Sequence, residues 1–250
     1  ISVGNCNSDG ISAKGDITIN GGEIVGNTVT KSINGTGYGG AIMAAGHLTI
    51  TGGKIVGGTA KYGGAINISN NCVMTLGGTA IVEGGQSTGS GGGNIIVQTG
   101  TLNITVGTIK NGKAHTGSAY GGNILAFNKS SIINITGGTI EGGEAKYGGN
   151  IFINHAQGAT VSTSNCQILD GLCSAEGAGG NIYAYTGSTL NIGEGTVIRG
   201  GFDDEEEGNN LFIYNATVNM TGGTIAGYVH HVNGGTLNLA GAPVIYDEEA

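Results

Sequence analysis

Short hydrophobic segments recur along the chain at a mean interval of about 28 residues. Each interval opens with Gly-Gly-Ala-Ile or Gly-Gly-Asn-Ile, at residues 39–42, 63–66, 92–95, 121–124, 148–151 and 179–182. A pair of apolar residues that flank one polar residue follows, as in Leu48 and Ile50, and then an isoleucine after a Gly-rich turn, as in Ile55. Alternation with period 2 between Gly-rich turns is typical of short β-strands.

Three such segments in every repeat predict three strands per coil of a solenoid, because each strand then pairs with its copy one coil further on. We therefore expect an all-β, single-domain, right-handed parallel β-helix over residues 1–250, with about nine coils. The chain begins at Ile1 without a Met, so we also expect it to be a processed protein, a segment of a longer chain or a filament subunit.

Composition supports this fold and excludes others. Glycine contributes 54 of 250 residues and proline only one. Collagen is excluded because the glycines follow no Gly-X-Y period. Disorder is disfavoured, since only 10% of the residues are charged. No apolar run approaches the ~20 residues of a membrane helix, so no membrane insertion is expected.

Identical positions of a solenoid stack along its axis, so the repeated asparagines should form one ladder at a corner. Side-chain amides both donate and accept hydrogen bonds, and a buried structural ladder is favoured over a binding stripe. The five asparagines of this ladder are Asn94, Asn123, Asn150, Asn181 and Asn210.

A second polar array follows the middle strand of each coil, where alternation directs small polar side chains outward. A plain solvated face is the favoured interpretation, with glycan binding, lateral protein contact and ice binding as alternatives. The residues of this candidate ligand face are Thr49, Thr51, Asn103, Thr105, Asn134, Thr136, Asn219 and Thr221.

Four tyrosines directly precede Gly-Gly pairs, and neighbouring coils should bring them together. They are expected to cover the glycine corner, and sugar binding by exposed rings is the alternative. These tyrosines are Tyr38, Tyr62, Tyr120 and Tyr147.

Charge is unevenly distributed along the chain. The net charge is −8, which disfavours nucleic-acid binding. Residues 1–125 carry six Lys and four acidic residues, net +2, whereas residues 126–250 carry three basic and thirteen acidic residues, net −10. We therefore expect opposite ends of neighbouring molecules to attract, and a head-to-tail filament of identical copies is the leading hypothesis. The residues expected to mediate self-association are Lys14, Lys31, Asp203, Asp204, Glu205, Glu206, Glu207, Asp247, Glu248 and Glu249.

The acidic run of residues 203–207 has two other interpretations, a solvated loop and a Ca²⁺ site. No other metal or cofactor is expected. The four cysteines lack zinc-site spacing, and a disulfide between Cys166 and Cys173 remains open.

Catalysis is not expected. Glycosidases and polysaccharide lyases act through carboxylates clustered with basic residues, and the chain contains one arginine, Arg199, and no repeated acidic pair.

The Gly-Gly-Ala-Ile and Gly-Gly-Asn-Ile copies resemble the repeats of adhesin-like right-handed parallel β-helices of bacterial surface proteins, including the polymorphic outer-membrane type. The resemblance covers roughly residues 11–245 and implies an extracellular or cell-surface location. A self-associating surface fibre is therefore the leading expectation. A monomeric adhesin or glycan-binding module is the alternative, ahead of ice binding or a polysaccharide lyase.

Overall fold

The computed structural model describes residues 10–29, 37–115, 119–154, 158–203 and 209–247. These residues form thirty-one β-strands. Among them no helix is long and apolar enough to cross a membrane. The strands, in chain order, are β1 (Ile11–Ala13), β2 (Ile17–Ile19), β3 (Glu23–Thr28), β4 (Ile42–Ala44), β5 (Leu48–Ile50), β6 (Lys54–Tyr62), β7 (Ile66–Ile68), β8 (Cys72–Leu76), β9 (Ile81–Glu83), β10 (Gln86–Gly91), β11 (Ile95–Val97), β12 (Gly100–Ile104), β13 (Thr108–Lys110), β14 (Lys113–Ala114), β15 (Ile124–Ala126), β16 (Ser131–Ile135), β17 (Thr139–Glu141), β18 (Glu144–Tyr147), β19 (Ile151–Ile153), β20 (Thr160–Thr163), β21 (Gln167–Leu169), β22 (Leu172–Ala178), β23 (Ile182–Ala184), β24 (Thr189–Ile192), β25 (Val197–Arg199), β26 (Asn209–Tyr214), β27 (Thr217–Met220), β28 (Thr224–Ala226), β29 (Tyr228–Val232), β30 (Thr236–Leu239) and β31 (Val244–Tyr246).

The strands form three parallel sheets that wrap around one core, which confirms the predicted β-solenoid. The first sheet has nine strands in the order β1-β4-β7-β11-β15-β19-β23-β26-β29, and the second also has nine, in the order β2-β5-β8-β12-β16-β20-β24-β27-β30. The third sheet has thirteen strands, and its main row runs from β3 and β6 through β9, β13, β17, β21, β25 and β28 to β31.

Register between coils is set by the apolar repeat. Ile95 lies opposite Ile66 on one side and Ile124 on the other, and Leu102 lies opposite Met74 and Ile133. These side chains are fully buried. A slip by one residue would turn this apolar set to the outside, so burial holds each coil in place.

Several coils contain a fourth strand that the hydrophobic pattern does not predict. The end of β6 pairs with β10, and β14, β18 and β22 continue that row of the third sheet. The inward residues of this row are small, which removes the apolar alternation that marks the other strands. They are Ala60, Ser87, Ala114, Ala145 and Cys173.

The corner between the third and fourth strands requires a left-handed backbone. The φ angle is 67° at Gly57, 54° at Asn111 and 53° at Asp170, which occupy this corner in different coils. Gly, Asn and Asp are the residues that adopt this conformation at least cost.

Candidate binding groove

The outer face of the first sheet carries a continuous aromatic surface. In this sheet the first and third residues of each strand point into the core, and the second points outward. Four successive outward positions are apolar or aromatic and buried, namely Ile96, Leu125, Phe152 and Tyr183. A buried outer face means that other side chains cover it.

Two flanking rows supply that cover. Tyr120 and Tyr147 lie in the row before the Gly-Gly corner, where the two residues pair across neighbouring coils. Tyr185, directly after β23, and Tyr214, the last residue of β26, lie in the second flanking row, and Phe212 continues the central row. All five pack on or beside the buried central residues.

The rings stack within rows and between them. Tyr120 and Tyr147 stack with ring centroids 5.7 Å apart, and Tyr185 and Tyr214 stack at 5.3 Å. Phe152 and Tyr183, which form the floor between these pairs, stack at 5.1 Å. Such contacts fix ring orientation and stabilise the cluster beyond simple burial.

Between the stacked pairs lies a groove of about 270 Å³, just below the range of about 300–1,000 Å³ that is typical of ligand sites. It is lined by Tyr120, Tyr147, Phe152, Asn154, Tyr183, Tyr185 and Tyr214. These seven described residues offer aromatic surface, hydroxyl groups and one amide, and none of them is an acidic or basic residue of formal charge at pH 7.

The tyrosine hydroxyl groups converge on this groove. Burial raises the pKa of Tyr183 well above its usual range, and the neighbouring hydroxyls of Tyr147, Tyr185, Tyr214 and Tyr120 raise that pKa further. Tyr183 therefore stays protonated, and its hydroxyl can both donate and accept a hydrogen bond.

Lys146 is a cation at the edge of the groove. Lys146 Nζ lies 5.6 Å from the ring centroid of Tyr147 and 3.6 Å from Glu176 Oε2. Because Glu176 compensates its charge, this lysine does not make the groove a strong anion site.

Asn154 is the amide of the groove. It follows Phe152 by two residues on the outer face, and backbone hydrogen bonds place it between Phe127 and Tyr185 in the flanking row. No hydrogen bond among the described residues uses its side-chain amide. This amide, which lies between two aromatic residues of its row, is therefore available to a ligand.

The sequence indicated only part of this groove. Tyr120 and Tyr147 were expected to pair, and Tyr38 and Tyr62 also stack, at 5.3 Å. The remaining aromatic lining residues were missed. For Phe152 and Tyr183, the sequence signal is an aromatic second residue in an Ile-x-Ile or Ile-x-Ala triplet.

The five repeated asparagines lie in one hydrogen-bonded stack at the corner before the first sheet. Each Nδ2 donates to the Oδ1 of the next asparagine, at 2.7 Å from Asn94 to Asn123 and 2.6 Å from Asn123 to Asn150. The stack continues at 2.6 Å from Asn150 to Asn181 and 2.5 Å from Asn181 to Asn210. All five side chains are fully buried, so this ladder is not a binding surface.

The middle face uses most of its side-chain hydrogen bonds internally. Asn134 donates to Asn103 and Asn238 donates to Asn219, both at 2.9 Å. The threonine hydroxyls of the next row donate either to a neighbouring side chain or to a backbone carbonyl. These contacts are Thr51 to Asn20, Thr105 to Leu76, Thr136 to Ile104 and Thr221 to Ile192. Thr49 lies half-buried in the row of Asn103.

The residues expected to mediate self-association are only partly described. Lys14 is exposed, and Asp247 is exposed and accepts a hydrogen bond from the Tyr228 hydroxyl at 3.1 Å. Asp203 is buried, so its carboxylate is not presented at the surface. The others lie outside the described residues: Lys31, Asp204, Glu205, Glu206, Glu207, Glu248 and Glu249.

Cys166 and Cys173 do not form a disulfide. Both thiols are free and buried, as is Cys72. Cys166 Sγ lies 4.0 Å from Thr196 Oγ1, whereas Cys173 Sγ donates to the carbonyl of Ala178 at 3.1 Å. Cys166 follows the second sheet and faces the main core, while Cys173 lies in the small-residue row of the fourth strand.

Within the described part of the chain, no three residues of the types His, Cys, Asp and Glu are grouped as metal ligands. The acidic loop at residues 204–207, where Ca²⁺ was considered, lies outside that part. Comparisons of the chain with protein-family models, curated proteins and solved structures find no match.

Proposed function

We propose that this chain is a carbohydrate-binding β-solenoid of an extracellular or cell-surface protein, which holds a glycan in the aromatic groove without cleaving it. The observation that carries the proposal is the groove itself, a cleft of about 270 Å³ flanked by stacked tyrosines that present ring surface and hydroxyl groups. Sugar rings have apolar C–H faces and polar hydroxyl edges. Tyrosine matches both, since its ring packs on the faces and its hydroxyl binds the edges.

Binding without cleavage is supported by the lining of the groove. Hydrolysis of a glycosidic bond generally uses a pair of carboxylic groups. The seven lining residues contain no Asp or Glu. The surface location is supported by the resemblance of the Gly-Gly repeats to those of bacterial surface β-helices.

Tyrosine fluorescence gives a direct test. The chain has no Trp and nine Tyr, and five of these tyrosines line the groove, so a bound glycan should change the emission. A panel of neutral and acidic oligosaccharides should contain a ligand whose affinity falls about tenfold in Tyr185→Ala, as expected for loss of one stacking ring.

Tyr38→Ala is the matched control. Tyr38 stacks on Tyr62 at 5.3 Å, the same spacing as Tyr185 on Tyr214, but lies outside the groove lining. The affinity of Tyr38→Ala for the oligosaccharide should stay within about twofold of the wild-type value. A panel in which no oligosaccharide binds, or equal weakening by both variants, would contradict the proposal.

End-to-end self-association is a second candidate, and the uneven charge favours it. In-register parallel pairing turns position in the sequence into position along the solenoid axis. The net charges of +2 for residues 1–125 and −10 for residues 126–250 therefore separate along that axis. Axially aligned copies would attract each other at opposite ends.

Electron microscopy of the native protein at low and high salt tests this candidate. Fibres of head-to-tail copies that shorten in high salt would support it, because salt screens exposed charges. Single short rods at every concentration would overturn it and leave the carbohydrate proposal unaffected.

A further inference from the structure

We infer that the groove selects a neutral glycan that carries acetamido groups, such as an N-acetylhexosamine chain, and that Asn154 is the residue that determines this preference. The inference rests on the carbohydrate-binding function proposed above. It follows from three features of the described groove lining: its lack of charged side chains, the amide of Asn154 and the exposed aromatic ring next to that amide.

The described lining favours an uncharged sugar. None of the described lining residues carries a charge to pair with a uronic acid or an amino sugar, and an unpaired ion in a partly dehydrated cleft is costly. Lys146 at the edge already pairs with Glu176 at 3.6 Å. A neutral glycan therefore fits this groove best.

The free amide of Asn154 provides one donor group and one acceptor. An acetamido group offers the complementary set, an N–H and a C=O, so the two amides can form a pair of hydrogen bonds. A site that hydrogen-bonds a specific polar group discriminates against the analogue without it, because its own groups are then left unpaired.

An exposed ring next to Asn154 suits the methyl group of an acetamido substituent. Tyr185 occupies the corresponding position one coil further on and is 36% exposed. Its ring lies 6.0 Å from that of the buried Phe152 and stacks on Tyr214 at 5.3 Å. A plain hexose has no methyl group to pack on this ring.

The residues next to Asn154 in its row allow the contribution of its amide to selectivity to be tested by itself. The two neighbouring coils place Phe127 and Tyr185 at the corresponding positions, so Asn154 lies between two aromatic residues. Among the described lining residues, Asn154 has the only polar side chain that is not a tyrosine. Removing this amide should therefore change the selectivity of the groove among glycans, while the stacked rings stay in place.

The experiment compares three β-1,4-linked trimers that differ at one substituent, using tyrosine fluorescence of the full chain. These probes are the trimers of N-acetylglucosamine, glucose and glucosamine. The N-acetylated trimer is expected to bind at least about tenfold more tightly than the other two. Asn154→Ala should reduce that preference to about twofold or less, mainly by weakening the N-acetylated trimer.

The possible outcomes separate the two proposals. Equal affinity of the wild-type protein for the glucose and N-acetylated trimers, or an unchanged preference in Asn154→Ala, would overturn the inference and leave carbohydrate binding standing. Tighter binding of glucosamine would also overturn it, since it would show a preference for charge. If no trimer or other glycan binds, the proposed function itself fails. A circular-dichroism spectrum that matches the wild type shows that the variant is folded.

Discussion

The side-chain amide of Asn150 donates to Oδ1 of Asn181 at 2.6 Å, although the two residues are 31 positions apart. The same amide donates to the carbonyl of Leu169 at 2.7 Å, and its Oδ1 accepts from Gly143 N–H at 2.9 Å and from Asn123. Asn150 thus satisfies its buried polar atoms within the protein and connects three coils. Such networks are stabilising when complete and costly when broken.

Replacing Asn150 by alanine should therefore strongly destabilise the solenoid. The change removes four hydrogen bonds and leaves groups of Asn123, Asn181 and Gly143 buried without this partner. We expect the free energy of unfolding to fall by about 2–5 kcal/mol, since each buried unpaired group costs roughly 1–3 kcal/mol. Urea unfolding followed by circular dichroism measures this change.

Asn94→Ala is the matched control for that experiment. Asn94 is equally buried but makes three of these side-chain hydrogen bonds, with Gly85, Lys110 and Asn123. Its loss should cost less than the loss of Asn150. Equal costs would indicate that cavity formation, not the hydrogen-bond ladder, dominates.

At the left-handed corner, replacing Gly57 by valine should destabilise the protein more than replacing it by asparagine. The φ angle of Gly57 is 67°. A Cβ atom at this position would meet no atom within 4 Å, so a substitution there tests backbone strain without a steric clash. Gly57→Val should lower the free energy of unfolding by roughly 1–2 kcal/mol, while Gly57→Asn should change it by only a few tenths. Denaturant unfolding of both variants decides the matter, and similar effects would argue against strain as the cause.

The buried thiols should resist alkylation in the folded protein. Burial raises the pKa of Cys72 and of Cys166 to about 11 and that of Cys173 to about 12. Since the thiolate is the reactive form, iodoacetamide at a pH of about 8.5 should label these three sites only after unfolding. Mass spectrometry of peptides gives the labelling of each site. A peptide that links Cys166 to Cys173 under non-reducing conditions would contradict the arrangement.

Tyr183 should make the protein less stable at high pH. Its folded-state pKa lies above the value of about 10 in the unfolded chain, so above that pH the folded state binds more protons than the unfolded state. This contribution to stability is complete below about pH 10 and is lost as the pH rises toward the folded-state pKa. Tyr183→Phe removes the ionisable hydroxyl and, with it, this contribution to stability.

We therefore expect the free energy of unfolding to fall less steeply between about pH 9 and about pH 11 in Tyr183→Phe than in the wild type. Urea titrations at both pH values provide the comparison. Tyr246→Phe, at an exposed tyrosine of the third sheet, is the control and should follow the wild type. An identical pH dependence in Tyr183→Phe would refute the role of Tyr183.

The sequence by itself determined the solenoid. Ile66, Ile95 and Ile124 recur at one position of the repeat, and only pairing between successive coils buries all of them together. The corner position of Asn123 and Asn150 followed from the same spacing, because equivalent positions stack. Periodicity is visible in a single chain, so these features needed no coordinates.

The tertiary structure decided the fourth strand and the groove. The fourth strand has small inward residues such as Ala145 and Ser87, whose pattern contains no apolar alternation. The groove combines Tyr120 with Asn154 and Tyr214, which lie in a different row from Tyr120 and in coils up to three turns away from it. Repeat analysis aligns residues within a row, but contact between rows depends on sheet curvature and side-chain direction. Only the folded chain brings those rings and the amide of Asn154 to one surface.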